Sequence, residues 1–268
     1  MNLIDLHCHS TCSDGTDPPG AVAALAAARG LSLFALTDHD TCAGFAEAAA
    51  VFPGLIRATE LSCDDDGQLV HILAFDTGGA WDQLDSLLQQ MPERRRQRLR
   101  QIAEQLQRRG VNIDVEPILA AAGERPVGRP DLARALREQG LVSTEKEAFQ
   151  RYLYDGGPGD APGHRLPLAE ALAIGKAAGA KMALAHPHLS GDQRAARTLR
   201  RYRQEGLDGL EAFYGTYPPD VQARWTQLAD ELGLVCTAGS DRHHASDLEL
   251  GLTLPPARAQ RLKDWLGR

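Results

Sequence analysis

Short apolar runs alternate with alanine-rich or amphipathic stretches along most of the chain. Turn residues and then a helical pattern follow each run, which is typical of parallel α/β folds. The pattern predicts strands near residues 3–8, 33–38, 55–60, 69–75, 181–186, 208–213 and 234–239. Seven such strands favour a closed sheet, so the expected fold class is α/β, a distorted seven-stranded β/α barrel of the TIM type.

Prolines and glycines mark where the predicted helices begin and end. We expect helices over 19–29, 167–179 and 219–232, the last two closed by Gly179 and Gly233. Proline suits the first turn of a helix and glycine the residue after its last turn, so these positions agree with the apolar periodicity.

One long interval breaks the alternation of strands and helices. Residues 81–165 are helical in pattern and rich in arginine, and they end in a Gly/Pro-rich turn over 156–163. We therefore predict a barrel built from residues 1–80 and 166–268, with 81–165 inserted as a helical subdomain.

Composition places the chain among ordinary globular proteins. Its 268 residues are 43% hydrophobic and 24% charged, which suffices for a sizeable core. The five cysteines, an odd number at irregular spacing, indicate reduced thiols. The chain start lacks a signal-peptide pattern and no apolar run approaches a membrane span, so we expect a cytoplasmic protein with no membrane association and no obligate protein partner.

The charge balance limits the binding partners. A formal net charge of −7 argues against tight nonspecific binding to long nucleic acid, because that affinity depends on cations that meet phosphates. A small anionic substrate stays open, since local charge can outweigh the global field. Arginine supplies nearly all the positive charge, and a guanidinium can bind a phosphate in bidentate fashion.

Potential metal ligands follow nearly every predicted strand, at the end where barrel enzymes place their active sites. The first strand ends in His7-Cys8-His9, and because side chains alternate along a strand, both imidazoles point one way and Cys8 the other. The candidate ligands are His7, His9, Asp14, His39, Glu60, His71, His186, Asp241 and His243. Imidazoles and carboxylates together suit zinc, manganese or iron better than calcium.

Each of these residues alone has a simpler explanation. A single histidine such as His71 is more often a partly buried structural residue, and Glu60 alone would more often be a solvated carboxylate. The joint pattern favours a metal site, because independent structural roles would not place histidines repeatedly at strand ends. His164, next to the Gly/Pro-rich turn, is interpreted as a surface residue, and thiolate ligation by Cys8 and Cys12 is a less favoured alternative.

The order of these motifs resembles that of the polymerase and histidinol phosphatase (PHP) family. The matching segments are residues 5–10, 13–15, 37–40, 185–187 and 239–243. The resemblance implies a distorted seven-stranded barrel with three metal ions, often manganese, zinc or iron. It implies that His7, His9, Glu60 and Asp241 hold one ion, that Glu60, His71 and His186 hold a second, and that Asp14, His39 and His243 hold a third.

The inserted segment narrows the resemblance. Gly128-Arg129-Pro130-Asp131 is similar to the Gly-Arg-Pro-His segment of the PHP subgroup that acts on nucleoside 3′,5′-bisphosphates and, in some members, on RNA 5′ ends. Asp131 stands where that subgroup commonly has histidine. Arg129, at a predicted helix start, would face an anion together with the helix N-terminus, or else it is an ordinary surface arginine.

A second arginine candidate lies in the run 93–100. Helical spacing places Arg95 on the stripe of Leu99, Ile102 and Leu106, which we expect to face the barrel. Arg95 would then either lay its stem along apolar surface or point into the metal site. The other arginines of the run are expected on a solvated face.

These residues predict a metal-dependent phosphoesterase that uses two or three divalent ions, Mn²⁺ first and Zn²⁺ or Fe²⁺ as alternatives. Bound ions can activate water, so no protein nucleophile is required. The resemblance implies removal of the 3′-phosphate from a nucleoside 3′,5′-bisphosphate, giving the 5′-monophosphate. The candidate catalytic residues are Asp38, His188 and His243, and the candidate substrate-binding residues are His39, Arg95 and Arg129.

Four alternatives to this function stay open. Histidinol phosphate phosphatase would use the same metals, and the arginine-rich insertion slightly favours a substrate with two phosphates instead. An amidohydrolase would need a lysine at a strand end, whereas Lys181 lies at the start of its strand. Exonuclease action on short single-stranded RNA or DNA is disfavoured by the acidic balance. A degenerate metal-binding structural module would lack some of the ligands, whereas this chain has all nine candidates.

Overall fold

The computed structural model describes residues 3–154, 156–161 and 165–268. The strands are β1 (Leu3–Asp5), β2 (Leu33–Leu36), β3 (Ile56–Asp65), β4 (Gln68–Phe75), β5 (Leu166–Pro167), β6 (Lys181–Leu184), β7 (Leu207–Tyr214), β8 (Val235–Gly239) and β9 (Leu252–Thr253). The helices are α1 (Pro19–Ala28), α2 (Phe45–Val51), α3 (Asp82–Leu88), α4 (Met91–Gln107), α5 (Glu116–Ala122), α6 (Arg129–Glu138), α7 (Glu145–Ala148), α8 (Leu168–Ala177), α9 (Pro187–Ser190), α10 (Asp192–Tyr202), α11 (Pro219–Leu232) and α12 (Pro256–Leu266), with one π-helical turn at Phe149–Leu153.

The strands form one strongly curved sheet. Their order is β8-β7-β6-β4-β3-β2-β1-β9, and β5 pairs with β3 off this path. The chain just after β1 returns to β8, where Leu6 N donates to Ala238 O at 2.8 Å and Asp241 N donates to His7 O at 2.8 Å. These bonds bring the two sides of the sheet together, so the fold is a nearly closed α/β barrel, as predicted.

The seven predicted strands are all present, and the sheet gains the two-residue strands β5 and β9. The parallel arrangement is only partly correct, because β4 runs antiparallel to both of its neighbours, β3 and β6. The end assigned to the third strand is also wrong, since β3 continues through Glu60 to Asp65.

A tight hairpin explains both of these differences. Asp65 pairs with Gln68, so the turn consists of Asp66 and Gly67. Both have positive φ, +53° and +82°. This is the requirement of the type I′ turn that joins twisted antiparallel strands, and Asp-Gly is its usual sequence.

Buried apolar side chains of the described residues form three clusters, and two of them decide where the insertion lies. The largest cluster fills the barrel and includes α3 residues such as Leu84 and Leu87. A separate cluster packs α4, α5 and α6 together through Leu99, Leu119 and Leu132. The stripe of α4 therefore faces its own helical neighbours and not the barrel, which corrects the expectation, although the division of the chain at residue 81 stays a prediction.

No helix in the described ranges is both long enough and apolar enough to cross a membrane.

Candidate metal centre

The candidate ligands converge at one end of the barrel. His7, His39, His186 and Asp241 follow the carboxyl ends of parallel strands, as in other barrel enzymes. His71 lies near the start of β4, but because β4 is antiparallel, its start lies at this same end. The topology thus brings together ligands from both kinds of strand.

Glu60 stands at the middle of the cluster and is completely buried. Its Oε2 lies 3.3 Å from His7 Nε2, 3.3 Å from His9 Nε2 and 3.0 Å from His39 Nδ1, and its Oε1 lies 3.0 Å from His71 Nδ1 and 2.9 Å from His186 Nε2. A carboxylate with histidines around both oxygens has the form of a bridging ligand.

Two further carboxylates complete the cluster. Asp241 Oδ1 lies 3.3 Å from His7 Nε2 and 3.2 Å from His9 Nε2. Asp14 lies on the other side, with its oxygens 3.4 Å from His243 Nε2 and 3.6 Å from His39 Nε2. The nine predicted ligands therefore meet in one place.

Buried polar atoms without partners test whether this cluster fits metal ions. Among the described residues, His7 Nε2, His9 Nε2, His39 Nδ1 and Glu60 Oε2 are buried and make no hydrogen bond. Leaving such atoms unsatisfied is costly unless something else coordinates them. The groups with ligand atoms close enough for one ion are His9-Asp14-His39-His243, His7-His9-Glu60, His7-His186-Asp241 and His39-Glu60-His71. The donor set fits divalent metals.

The pKa shifts within the cluster also support a metal site. Burial alone would lower the pKa of His7, but Glu211, Glu60 and Asp241 outweigh it and raise that pKa well above its ordinary value. Burial would raise the pKa of Glu60, but His7, His71 and His39 hold it well below the ordinary value. Without metal, His7 therefore keeps its proton beside the ionised Glu60, whereas burial lowers the pKa of His39 and His71. Metal binding at His7 must displace that proton.

Glu211 on β7 positions two ligands, a role that sequence reasoning missed. This completely buried carboxylate lies 2.9 Å from His7 Nδ1 and accepts a hydrogen bond from His186 N at 2.6 Å. An acceptor at Nδ1 leaves the Nε2 lone pair of His7 pointing at the cluster. Gly239 lies against the same residues, because a Cβ there would stand 2.2 Å from His7 Cβ and 2.6 Å from Glu211 Oε1.

Asp38 shapes the loop that carries Asp14. Its Oδ1 accepts hydrogen bonds from Ser10 N and Ser13 Oγ, and its Oδ2 accepts one from Ser10 Oγ. Ser13 Oγ lies 3.5 Å from His9 Nδ1, so Asp38 reaches that imidazole only through the serine. This geometry suits a positioning group, and the predicted catalytic role of Asp38 stays a prediction.

An aromatic cluster borders the Asp241 side of the centre. Tyr214 donates to Asp241 Oδ2 at 2.9 Å, and the Tyr217 hydroxyl lies 2.9 Å from His188 Nδ1. Burial and His186 lower the pKa of His188, so its ring is neutral at neutral pH. Tyr214 is a second positioning residue missed at the sequence level, and a proton-transfer role for His188 stays a prediction.

Backbone strain is concentrated at the centre. Among the described residues, four that are not glycine have positive φ, and three of them, Asp40, His186 and Asp241, lie at or beside the cluster. Such conformations cost roughly 1–3 kcal/mol each and persist where the surroundings over-determine them. The strain here accompanies the convergence of ligands.

A cleft of about 130 Å³ opens beside the cluster. It is lined by Asp14, His39 and His71 on the barrel side and by Arg95, Arg98 and Arg129 on the side of the insertion. Metal ligands and three guanidiniums thus face one space. Both ring nitrogens of His39 face carboxylates of the cluster, and its predicted contact with substrate stays a prediction.

The three arginines differ in how they are held. Arg95 points to the site, where it pairs with Asp40 at 2.5 Å and donates to Ser62 Oγ at 2.6 Å. Arg129 donates to Leu153 O at 2.8 Å. Arg98 donates to Ala161 O at 3.0 Å, but its Nη2 is buried and makes no hydrogen bond within the described ranges.

Arg98 corrects the expectation that the other arginines of its run are solvated. Its side chain is only 13% exposed, because the insertion covers this face of α4. Burial and the neighbouring guanidiniums of Arg165, Arg129 and Arg95 lower the pKa of Arg98 to about 9. It is still a cation at neutral pH, so this corner of the cleft favours an anion.

The cysteines take no part in the candidate metal groups of the described residues. Cys8 is buried on the opposite side of the strand from the two imidazoles, with its Sγ 3.6 Å from Ala35 O. His164 lies outside the described residues, so its predicted surface position is untested.

Comparison with known proteins gives the family. A PHP domain model matches residues 5–59. A Haemophilus influenzae protein named 5′-3′ exoribonuclease is 32% identical over 258 residues, 93% of each chain. A Chromobacterium violaceum protein named 3′,5′-nucleoside bisphosphate phosphatase is 31% identical over 250 residues, 91% of this chain and 88% of the relative. The chain belongs to the PHP family.

A solved structure agrees with this membership. A Bifidobacterium adolescentis protein assigned to the metal-dependent phosphoesterases superposes with a TM-score of 0.80 at 28% identity, covering 99% of this chain and 98% of the other. The predicted family and enzyme class are confirmed: this PHP protein is a metal-dependent phosphoesterase, a hydrolase. The identity and number of its metal ions stay predictions, as does its substrate.

Proposed function

We propose that this PHP protein removes the 3′-phosphate from nucleoside 3′,5′-bisphosphates such as adenosine 3′,5′-bisphosphate and releases the nucleoside 5′-monophosphate. The observation that carries the proposal is the cleft in which Asp14, His39 and His71 face Arg95, Arg98 and Arg129. A substrate with two phosphates fits a site with two separate means of binding anions. The bisphosphate phosphatase of Chromobacterium violaceum supports the same substrate class.

Metal ions would be held by the nine clustered ligands, grouped as the family resemblance implies, with Mn²⁺ first. When bound, such ions activate water for attack on phosphorus and stabilise charge on the phosphoryl oxygens. The remaining work falls to the protein. Glu211 keeps the Nε2 lone pair of His7 directed inward, and Asp241 O, 2.9 Å from His243 Nδ1, does the same for His243.

The arginines would hold the phosphate that is not cleaved. Among the described residues, Nη2 of Arg98 makes no hydrogen bond, and the carboxylate that pairs with it is Asp160 at 4.0 Å. Arg95 already pairs with Asp40, so it supplies charge and shape at the wall of the cleft. A bound 5′-phosphate would fix the ribose and so place the 3′-phosphate at the metal centre.

A second candidate function is 5′-3′ hydrolysis of short RNA, as in the relative from Haemophilus influenzae. The cleft of about 130 Å³ favours a site that receives only the phosphorylated end of a substrate. Such a site is compatible with a longer chain that continues outward. The net charge of −7 argues for short oligomers over long ones.

Product analysis decides between these functions. Purified protein loaded with Mn²⁺ would be given adenosine 3′,5′-bisphosphate, a 5′-phosphorylated oligoribonucleotide or histidinol phosphate, with a chelated sample as control. We expect metal-dependent release of one phosphate from the bisphosphate, leaving adenosine 5′-monophosphate. Faster release of mononucleotides from the oligomer would replace the proposal with the nuclease, and a preference for histidinol phosphate would reject both nucleotide substrates.

A further inference from the structure

One arginine of the insertion contacts the loop that carries a candidate metal ligand. Arg125 Nη1 donates to the carbonyl oxygen of Ser13 at 2.7 Å, across 112 positions of sequence. Ser13 directly precedes Asp14, whose carboxylate lies between His39 and His243. The contact therefore fixes the backbone immediately before that carboxylate.

A buried carboxylate holds this arginine in place. Asp131 Oδ1 accepts from Arg125 Nη2 at 2.6 Å, and Oδ2 accepts from Gly128 N at 2.9 Å at the start of α6. Asp131 is only 5% exposed, so both oxygens are committed in a largely dry place. Since charge-assisted hydrogen bonds of this kind are strong and directional, Asp131 orients the guanidinium toward Ser13.

Ser13 is held from the barrel side as well. Its Oγ donates to Asp38 Oδ1 at 2.6 Å, while its carbonyl accepts from Arg125. The serine is itself only 3% exposed. Asp38 accepts the shortest hydrogen bond of the Ser13 side chain, whose Oγ also lies 3.3 Å from Asp14 Oδ1, and Arg125 restrains the peptide that leads into Asp14.

We propose that Arg125 and Asp131 are a positioning pair that keeps the Asp14 carboxylate in the geometry needed to retain the metal ion shared with His39 and His243. The proposal rests on the assignment of these three residues to one ion under the proposed function. Neither member of the pair is among the residues that line the cleft beside the cluster, so the role assigned to the pair is positioning and not catalysis. The insertion thereby contributes to metal retention as well as to the cleft.

Mn²⁺ binding tests the pair directly. Arg125→Ala and Asp131→Ala would be compared with Asp14→Ala as the reference and Arg134→Ala as the matched control. Arg134 lies 3.9 Å from the same carboxylate but is 48% exposed, and within the described ranges it makes no hydrogen bond or ion pair with the Ser13 loop. Bound Mn²⁺ per chain would be measured by mass spectrometry after dialysis, and affinity by electron paramagnetic resonance titration.

The expected results separate positioning from simple stabilisation. Asp14→Ala should lose one ion, and both pair variants should bind that ion roughly 10- to 100-fold more weakly, as when a partner behind a metal ligand is lost. Their kcat should recover in excess Mn²⁺, with KM for the phosphate substrate unchanged. Arg134→Ala should match the wild type throughout.

Conservative variants keep the test valid if an alanine variant fails to fold. Asp131→Asn can still accept from Gly128 N but loses the charge that holds Arg125, and Arg125→Lys can reach only one of its partners. Both should weaken Mn²⁺ binding less than alanine does. The proposal would be overturned if these variants and the folded alanine variants bound Mn²⁺ with normal affinity and differed from the wild type only in a lowered melting temperature. Unchanged Mn²⁺ content in Asp14→Ala would instead reject the ligand assignment on which the proposed function depends.

Discussion

The candidate metal ligands of this PHP protein come from strands of the barrel and the loops that follow them, whereas the cations facing them come from α4 and the start of α6 in the insertion. On the barrel side, ligand atoms meet around one buried carboxylate, Glu60, and are held by further buried groups such as Glu211. On the insertion side, Arg98 is crowded by like charges, and its Nη2 makes no hydrogen bond within the part of the chain that the structure describes. The first region is prepared to hold cations and the second to hold an anion.

Metal removal should have the largest effect, because it empties the barrel side entirely. A chelator should abolish phosphoester hydrolysis and lower the melting temperature. Ligands that bind only the folded state stabilise it by about 2.7 kcal/mol at 100 times their dissociation constant. At roughly 2–4 °C per kcal/mol for a chain of this size, calorimetry should show a drop of several degrees that added Mn²⁺ reverses.

A chelated protein that keeps its activity would contradict the metal assignment. A chelated protein that loses activity without any change in melting temperature would indicate that the cluster is already stable through its own ion pairs. Sodium chloride at matched ionic strength controls for the salt effect on surface charges.

Glu60→Gln should come next, because this carboxylate contacts five histidines of the cluster. The substitution keeps the shape but removes the charge and replaces one ligand oxygen by an NH₂ group. We expect at least about 100-fold loss of kcat, the upper end for loss of a partner behind a ligand, together with reduced metal content by mass spectrometry.

Asp65→Asn is the matched control for Glu60→Gln. Asp65 is a buried carboxylate on the same strand, bonded to Thr198 Oγ1 at 2.5 Å and outside the candidate metal groups. The control should keep the wild-type metal content. Equal losses in both variants would mean that Glu60 matters only for the strand.

Glu211→Gln should have a smaller effect, since Glu211 acts through His7 and His186. The glutamine must present its NH₂ to one of two N–H donors, so one buried hydrogen bond is lost. Loss of such a partner typically costs 10–100-fold in metal affinity or activity. Titration of activity with Mn²⁺ should show a shifted midpoint and a nearly normal maximum.

Asp208→Asn controls for the strand itself. Asp208 lies near the start of β7, away from Glu211, and its Oδ2 accepts a hydrogen bond from Trp265 Nε1 at 3.2 Å. An unchanged Mn²⁺ midpoint in Glu211→Gln would show that the orientation of His7 is already determined by packing against Gly239.

The two regions also differ in how far the sequence predicts them. Ligands such as His7, His39 and Asp241 could be predicted because strand ends are local features and barrel topology brings them to one edge. Glu211 could not, since a single acid in an apolar strand carries no sign of a partner 204 residues away. The antiparallel direction of β4 could have been predicted from Asp66-Gly67, because this dipeptide is typical of the turn in a β-hairpin.

Arg98 shows how far the sequence predicts the positions of side chains in the insertion. Helical periodicity identifies the apolar stripe of α4, but the partner of each face depends on how five helices and a π-helical turn pack together. The stripe of Leu99 and Ile102 packs within the insertion, and that packing turns Arg98 toward the cleft. No pattern within α4 distinguishes Arg98 from Arg100, which pairs with Glu116 at the surface.

Of the four changes, which are metal removal, Glu60→Gln, Glu211→Gln and Arg98→Ala, the last should have the smallest effect on activity. Its effect should also depend most on which substrate is used. A charged hydrogen bond to a phosphate contributes about 1.5–3 kcal/mol, so kcat/KM for adenosine 3′,5′-bisphosphate should fall at least about tenfold, mainly through KM. Hydrolysis of a small monophosphate ester should change little, because it has no second phosphate. Arg100→Ala, two residues further along α4 on its exposed face, should alter the hydrolysis of neither substrate. An equal loss of kcat/KM on both substrates would instead place Arg98 at the phosphate that is hydrolysed. The metal cluster and the arginines would then bind the same phosphate and not two different ones.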